Sequence, residues 1–355
     1  MLSLEISHNL RNWCACLTHT MKILFDHPNP FLLAHGGFQT QIEQTKAGLI
    51  AVGVEVEYLR WWDDHQTGDV IHYFGRPMAS HVELAKKKGL KFVLGELLTG
   101  LGSRSGTTRA AQRLVIRAAQ SLLPTEFTAR MGWNCYRLAD ACIANTPWER
   151  KLMIEMFGAL AEKVHCLPNG VETPFFAVAP HERGSWLVCT ATITERKRVV
   201  ELAEAAVLAQ TPLWVVGRPY SESDPYGCRF LDLARQHPKL IRYEGAVGDR
   251  AKLAVIYREA RGFVLLSTME SLSLSALEAA ACECPLLLSD LPWARCSFSQ
   301  GVEFCPVTSP AATARILRRF YDTAPKMSAP LRPLTWPQVG DQLAGIYRSL
   351  FSNSR

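Results

Sequence analysis

The stretch ESLSLSALEAAACECP, residues 270–285, sets two carboxylates, Glu270 and Glu278, between the apolar runs GFVLLS and LLLS. On one continuous helix, eight residues turn through about 80° and rise about 12 Å, so the two would share a side without touching. With a loop between them, Glu270 and Glu278 can converge on one ligand. Ser271, Leu272, Ser273 and Leu274 between them would bring amides and hydroxyls to a helix N-terminus, a setting that favours an anion. A local alternative exists. Ser275 and Glu278 fit S-x-x-E, in which the serine caps the helix and the glutamate reaches back to an unpaired amide. That alternative explains Glu278 and leaves Glu270 unexplained.

A second cluster, ATITERKRVV (191–200), puts Arg196, Lys197 and Arg198 at the opening of a helix. Positive charge is electrostatically disfavoured in a first helical turn, and a phosphate ligand would offset the misfit; an exposed basic turn is the alternative. A third feature is Gly36-Gly37 in HPNPFLLAHGGFQTQ (27–41). Two glycines let backbone approach a ligand closely and aim amides at a phosphate, though a plain loop would use them too. No G-x-G-x-x-G occurs, which disfavours a nicotinamide or flavin dinucleotide and ranks an oxidoreductase last.

Short apolar runs alternate with helix-period segments, the signature of parallel βαβ architecture. Strands are expected at 22–27, 54–59, 69–74, 91–96, 139–146 and 163–171. After a Pro-rich, charged and aperiodic stretch (ETPFFAVAPHERGS), the pattern restarts with strands in SWLVCTAT, PLWVVG, IRYEG, GFVLLS and PLLLSD. Two α/β units result, with ligands expected beyond the carboxyl ends of the strands, in the cleft between them. The expected division is an extension at 1–20, a first domain at 21–172, a linker at 173–184, a second domain at 185–330 and a C-terminal crossing segment and helix at 331–355.

The chain has 355 residues, of which 48% are hydrophobic and 20% charged, an ordinary globular composition for two cores. No apolar run approaches the roughly 18–20 residues of a membrane span. The net charge of +6 is too small to imply nucleic acid. Eleven scattered cysteines form no CxxC pair, which points to a reducing compartment without a disulfide framework or structural zinc. MLSLEISHNLRNWCACLTHT lacks an uninterrupted apolar core and a small-residue cleavage site, so Met21 is expected to be the physical start of the fold.

Taken in order, these features resemble the retaining glycosyltransferases of family 4. The family signature is E-x7-E leading into a helix of the form LEAxAxGxP; here it is Glu270, Glu278 and LEAAACECP. The GG turn, GVEVEYL, DVIHYF, PNGV, WVVG and YEG extend the resemblance over nearly the whole chain from Met21. It implies a GT-B fold: two doubly wound, Rossmann-like domains facing across a cleft. It implies that Glu278 holds the ribose of a nucleotide sugar and Glu270 the sugar hydroxyls, with the amides of Ser271, Leu272, Ser273 and Leu274 beside the sugar and diphosphate. Lys197 matches a phosphate-binding lysine, and Gly36 and Gly37 match the turn that approaches the diphosphate from the first domain. The leaving group is then stabilised by cations and amides, with no metal or other cofactor and no evident protein nucleophile.

Three positions depart from the family pattern. Thr192 stands where the family has an arginine, so Arg196 or Arg198 would have to replace that charge. The family often places a histidine after the fourth strand; KFVLGELLTG offers Glu96, which either takes that catalytic place beside Glu270 and Lys197 or marks a different acceptor geometry. Ser271 and Ser273 replace glycines. His72 in DVIHYF is expected in the core.

The expected function is therefore transfer of a sugar from a nucleotide sugar to an unidentified acceptor in the cytoplasm. A non-catalytic nucleotide-sugar binder and a nucleotide-sugar epimerase are the alternatives. Residues 104–137 carry six arginines against one acid, Glu126. Arg109, Arg113 and Arg117, spaced by four, line one helical face; it is either a solvated face or a contact with anionic membrane. Trp61 and Trp62 either stack on an acceptor or pack a domain edge.

Overall fold

The computed structural model describes residues 21–28, 30–32, 36–177 and 182–352. The proposed extension at 1–20 and the middle of the proposed linker lie outside the described residues. Two six-stranded sheets, wholly parallel, form the frame. The first contains β1 (Lys22–Asp26), β2 (Glu55–Tyr58), β3 (Val70–Phe74), β4 (Lys91–Gly95), β5 (Ala141–Ala144) and β6 (Val164–Cys166), in the order β2-β1-β3-β4-β5-β6. The second contains β7 (Leu187–Thr190), β8 (Leu213–Val216), β9 (Ile241–Tyr243), β10 (Gly262–Leu265), β11 (Leu286–Ser289) and β12 (Val302–Cys305), in the order β12-β11-β10-β7-β8-β9. Helices cover both faces, so central strands such as β7, β8, β10 and β11 are buried throughout, which explains their unbroken apolar runs. This is the GT-B architecture that the sequence implied.

Each sheet reverses its order once, between β1 and β3 in the first and between β7 and β10 in the second. Loops leaving strands on either side of such a switch diverge and open a crevice at the carboxyl ends. The Gly36-Gly37 turn follows β1, the Arg196–Lys197 turn follows β7 and the Glu270 loop follows β10. All three candidate features therefore stand at switch points.

The chain crosses between domains twice. After the second domain it returns beside the exit of β6, where the Val171 amide donates to the Leu334 carbonyl at 2.9 Å. The terminal helix Trp336–Ser352 then packs on the helix Gly37–Ala51 and completes the core around Ile23, Phe25 and Ile42. The two helices cross at glycines: a methyl group on Gly340 would lie 2.3 Å from the Gly48 carbonyl oxygen. His72 locks this helix to β3, with its Nδ1 2.6 Å from the Tyr347 hydroxyl. It is a core residue.

Burial alone pushes the His72 imidazole down to about 3, from 6.5. The folded form thus resists a proton that the unfolded chain accepts, so stability present above pH 6.5 is lost as pH falls toward 3. Between pH 7 and pH 4 this group is expected to withdraw about 3 kcal/mol. Urea midpoints across that window check it; His72→Gln should show a shallower decline, and a parallel one would refute the assignment.

Candidate active site

A cleft of about 690 Å³ lies between the domains, a volume suited to a ligand of cofactor size. Eleven of the twelve site residues expected from the sequence line it: Gly36, Gly37, Thr192, Arg196, Lys197, Glu270, Ser271, Leu272, Ser273, Leu274 and Glu278. Glu96 does not.

On the second domain, β7 ends in a loop and a tight turn, Glu195–Lys197, before the helix Val199–Leu208. Arg198 adopts a left-handed conformation, φ 54°, at the junction, which separates the directions of the three cations. Arg198 leaves the cleft and donates to the Thr308 carbonyl. Arg196 turns inward, donating to the Met269 carbonyl at 2.7 Å and to Glu270 Oε1 at 3.1 Å. Lys197 Nζ donates to the same Oε1. One carboxylate thus faces two cations, leaving net positive charge where β7 and β10 part. The Lys197 and Glu270 side chains are only 13% and 10% exposed, so their charges are poorly screened.

Glu278 is a separate arrangement. Its Oε1 accepts from Arg250 and its Oε2 accepts from the Tyr257 hydroxyl at 3.0 Å. Arg250 also grips Glu172 with two parallel bonds of 2.8 and 2.9 Å. Burial pushes the Glu278 carboxyl up, against the opposing pull of Arg250. The capping box is not formed. Ser273 caps the helix Leu274–Ala281 by accepting from the Ala276 amide at 3.3 Å, and Glu278 is turned into the domain toward Arg250. A carboxylate has about four acceptor positions, so Glu278 keeps capacity for hydroxyls beyond its two donors.

From the first domain, the helix Gly37–Ala51 presents its N-terminus to the cleft, with Gly36 as N-cap at φ 146°. That conformation is costly for residues with a Cβ. The opposing helix begins at Leu274, whose side chain packs on the first-domain core beside Gly37. Two helix N-termini therefore flank one cleft, beside Lys197 and Arg196.

A family model, Glycosyl transferases group 1, matches residues 184–323. That match spans most of the second domain. Among curated relatives is D-inositol 3-phosphate glycosyltransferase 1 of Catenulispora acidiphila, 26% identical over 253 residues, 61% of this chain and 59% of the relative. The D-inositol 3-phosphate glycosyltransferase of Kineococcus radiotolerans is 31% identical over 172 residues, 42% of this chain and 39% of that protein. The chain thus spans less than two thirds of either relative. Among solved structures, sucrose-phosphate synthase from Thermosynechococcus elongatus superposes with a TM-score of 0.66 at 16% identity, covering 94% of this chain and 100% of that one. Anabaena Alr3699/HepE in complex with UDP and glucose gives 0.63 at 13% identity, covering 93% and 100%. At such identities the superpositions establish the shared fold.

Two residues were missed by the sequence reasoning: Arg250, which lines the cleft, and Glu149, which holds the cleft residue Ser271. Arg250 opens the helix Arg250–Glu259, where a cation is as misplaced as Lys197; the same signal would have found it. Glu149 sits in T-x-x-E with Pro147 at the helix start, a pattern that reads as a capping box. Its amide does bond Thr146, but its carboxylate instead accepts from the amides of Leu98 (2.8 Å) and Asn145 (3.0 Å) and from the Ser271 hydroxyl (2.7 Å). Ser271 therefore ties the Glu270 loop to the first domain through its hydroxyl.

Glu96 requires correction. Arg76 Nη2 lies 3.1 Å from its Oε1, and the Tyr136 hydroxyl donates to its Oε2. It lines a cavity of about 20 Å³ with His72, which Gln41, Leu97 and Asn169 border together with the cleft. Arg76 and Tyr136 hold the Glu96 carboxylate, and Glu96 is not among the residues that line the cleft with Glu270 and Lys197. Trp61 and Trp62 are 87% and 68% exposed and line no part of the cleft, so they do not pack a domain edge.

Arg250 and Glu278 give a direct test. Glu278→Ala is expected to weaken nucleoside diphosphate affinity about tenfold, the value of one good hydrogen-bonded contact. Isothermal calorimetry checks it, and unchanged affinity would remove Glu278 from the site.

Proposed function

We propose that this chain is a metal-independent glycosyltransferase that moves a sugar from a nucleotide sugar to an acceptor hydroxyl with retention at the anomeric carbon. The observation that carries this reading is the Lys197–Glu270–Arg196 cluster at the second domain's switch point, one helical segment away from the Glu278–Arg250 pair. Lys197 and Arg196 would neutralise the departing diphosphate, work that a metal performs in other sites. Arg196 fills the place left uncharged by Thr192. Glu270 would hold sugar hydroxyls and Glu278 the ribose. The Gly36-Gly37 turn would cover the diphosphate from the first domain.

The group 1 match over residues 184–323 and the names of the curated relatives support sugar transfer. HepE, which shares the fold, binds UDP and UDP-glucose, so uridine is the first base to try. The setting that fits this reading is cytoplasmic, with peripheral contact at an anionic membrane surface near Arg109, Arg113 and Arg117. No helix among the described residues is long and apolar enough to cross a membrane.

A thermal-shift screen of nucleoside diphosphates in the presence of EDTA tests the donor half. One base should stabilise the fold, by about 2.7 kcal/mol at a hundredfold excess over Kd. No response to any of them would overturn the reading. Turnover follows with the matching nucleotide sugar and polyol acceptors, D-inositol 3-phosphate among them, with anomeric configuration read by NMR. Thr192 favours one second reading, a binder that never turns over; it predicts stabilisation by a diphosphate and no product with any acceptor.

A further inference from the structure

The helix Gly106–Leu122 is inverted. Its protein-facing side carries Arg109, Gln112, Arg113 and Gln120 around a single buried residue, Ile116. Its outward side carries Ala111, Leu114, Val115, Ala118 and Leu122, all exposed. Leu114 is 71% and Leu122 82% exposed, and the ridge continues through Leu123, Phe127 (66%) and Met131. Six of the 18 large apolar side chains exposed among the described residues fall in this one stretch of sequence. Ordinary surface helices bury their apolar side, so this face is built for something other than water.

We propose that this ridge seats in the headgroup region of a bilayer bearing anionic lipids. The proposal rests on the peripheral setting given above and moves its centre from the arginines to the apolar face. The arginines divide accordingly. Arg109 stacks 4.6 Å from the Trp148 ring and donates to the Arg104 carbonyl, so it braces the helix. Arg117 is exposed one turn from Leu114, and Arg130 is exposed in the same stretch as Phe127 and Met131, whereas Arg104 donates to Gln112 on the other side of the helix. With one acid among residues 104–137, Arg117 and Arg130 are complementary to anionic headgroups. A convex aliphatic ridge with neighbouring cations is the form of an interfacial helix, whereas a protein partner favours a groove or an aromatic anchor. The helix begins seven residues after Thr99, which lines the cleft together with Leu97. A membrane under the ridge would lie close to the cleft mouth, where an acceptor carried in the bilayer could enter.

Co-sedimentation of the full chain with phosphatidylcholine vesicles, with and without 30% phosphatidylglycerol, tests the ridge. Wild type should bind the anionic vesicles and lose binding at high salt. The double variant Leu114→Glu/Leu122→Glu should bind at least about tenfold more weakly, while Leu84→Glu, an exposed leucine on another helix, should match wild type. Nucleoside diphosphate affinity, measured in parallel, should be unchanged in the double variant. Retained vesicle binding by that variant, or equal binding to neutral vesicles, overturns the proposal. So does a wild-type dimer in sedimentation velocity that the double variant abolishes, which would assign the ridge to a second copy. Diphosphate binding lost in wild type with vesicle binding intact would instead refute the donor-site reading and leave the ridge standing.

Discussion

Lys197→Ala is expected to lower kcat by about two to three orders of magnitude while the fold survives. The loss is that seen when one preorganised donor to a developing negative charge is removed. The choice of Lys197 over Arg196 follows from burial. Lys197 is 13% exposed and Arg196 36%, so the charge of Arg196 is shared with solvent and worth less. Arg196→Ala should cost less, about tenfold. Lys197 and Arg196 both bind Glu270; a diphosphate would draw Lys197 away and free the Glu270 carboxylate for a sugar hydroxyl. The exchange predicts a separable pair of effects. Lys197→Ala should weaken diphosphate binding as well as turnover. Glu270→Gln, which removes the carboxylate charge that competes for Lys197, should bind diphosphate at least as tightly as wild type and still lose turnover. Rapid-quench single-turnover kinetics with calorimetry on the same variants decides it. Equal kcat in wild type and Lys197→Ala would overturn the electrostatic role, and weaker diphosphate binding by Glu270→Gln would overturn the exchange.

What the sequence revealed about this site was set by distance along the chain. Glu270 and Glu278 lie in one segment, Gly36-Gly37 in one turn and Arg196–Lys197 in another, so residue type and local pattern were enough to find them. The central strands were legible because burial on both faces leaves no polar residues in them. The edge strand β12 was not, because it is four residues long, half-exposed and interrupted by Glu303. Pairings over long separations were out of reach. Glu278 meets Arg250 across 28 positions and Ser271 meets Glu149 across 122. Without those partners Glu278 and Glu149 both pass for capping-box glutamates; in the fold Glu278 is drawn to the Arg250 cation and Glu149 to the Leu98 and Asn145 amides and the Ser271 hydroxyl. Glu96 failed for the same reason in reverse: its place after β4 suited chemistry, and only the fold brings Arg76 and Tyr136 onto it. The helix Gly106–Leu122 was recognisable as amphipathic, but which side faces outward depends on what packs against it.

Glu149→Ala is the change expected to harm the fold most. Glu149 is 2% exposed and its carboxylate is the acceptor for two backbone amides and the Ser271 hydroxyl. Burial pushes its carboxyl up, against the opposing effect of those donors, above all the Ser271 hydroxyl. Truncation strands three donors in a dry place at about 1–3 kcal/mol each, so a loss of roughly 3–9 kcal/mol is expected. That is a large fraction of the stability of an ordinary domain. Ser271→Ala removes only the interdomain bond and should cost about 1 kcal/mol. Urea denaturation of both single variants and the double variant isolates the coupling between them. A coupling near 1 kcal/mol would mean that the Glu270 loop is held against the first domain by this bond, so that opening the cleft must break it. In that case Ser271→Ala should also raise KM for the nucleotide sugar, because the loop bearing Glu270 loses its anchor, with kcat at saturating donor little changed. A coupling near zero, with KM unmoved, would reduce Glu149 to a local brace between β5 and the Leu98 loop and leave the position of Glu270 to Arg196 and Lys197 alone.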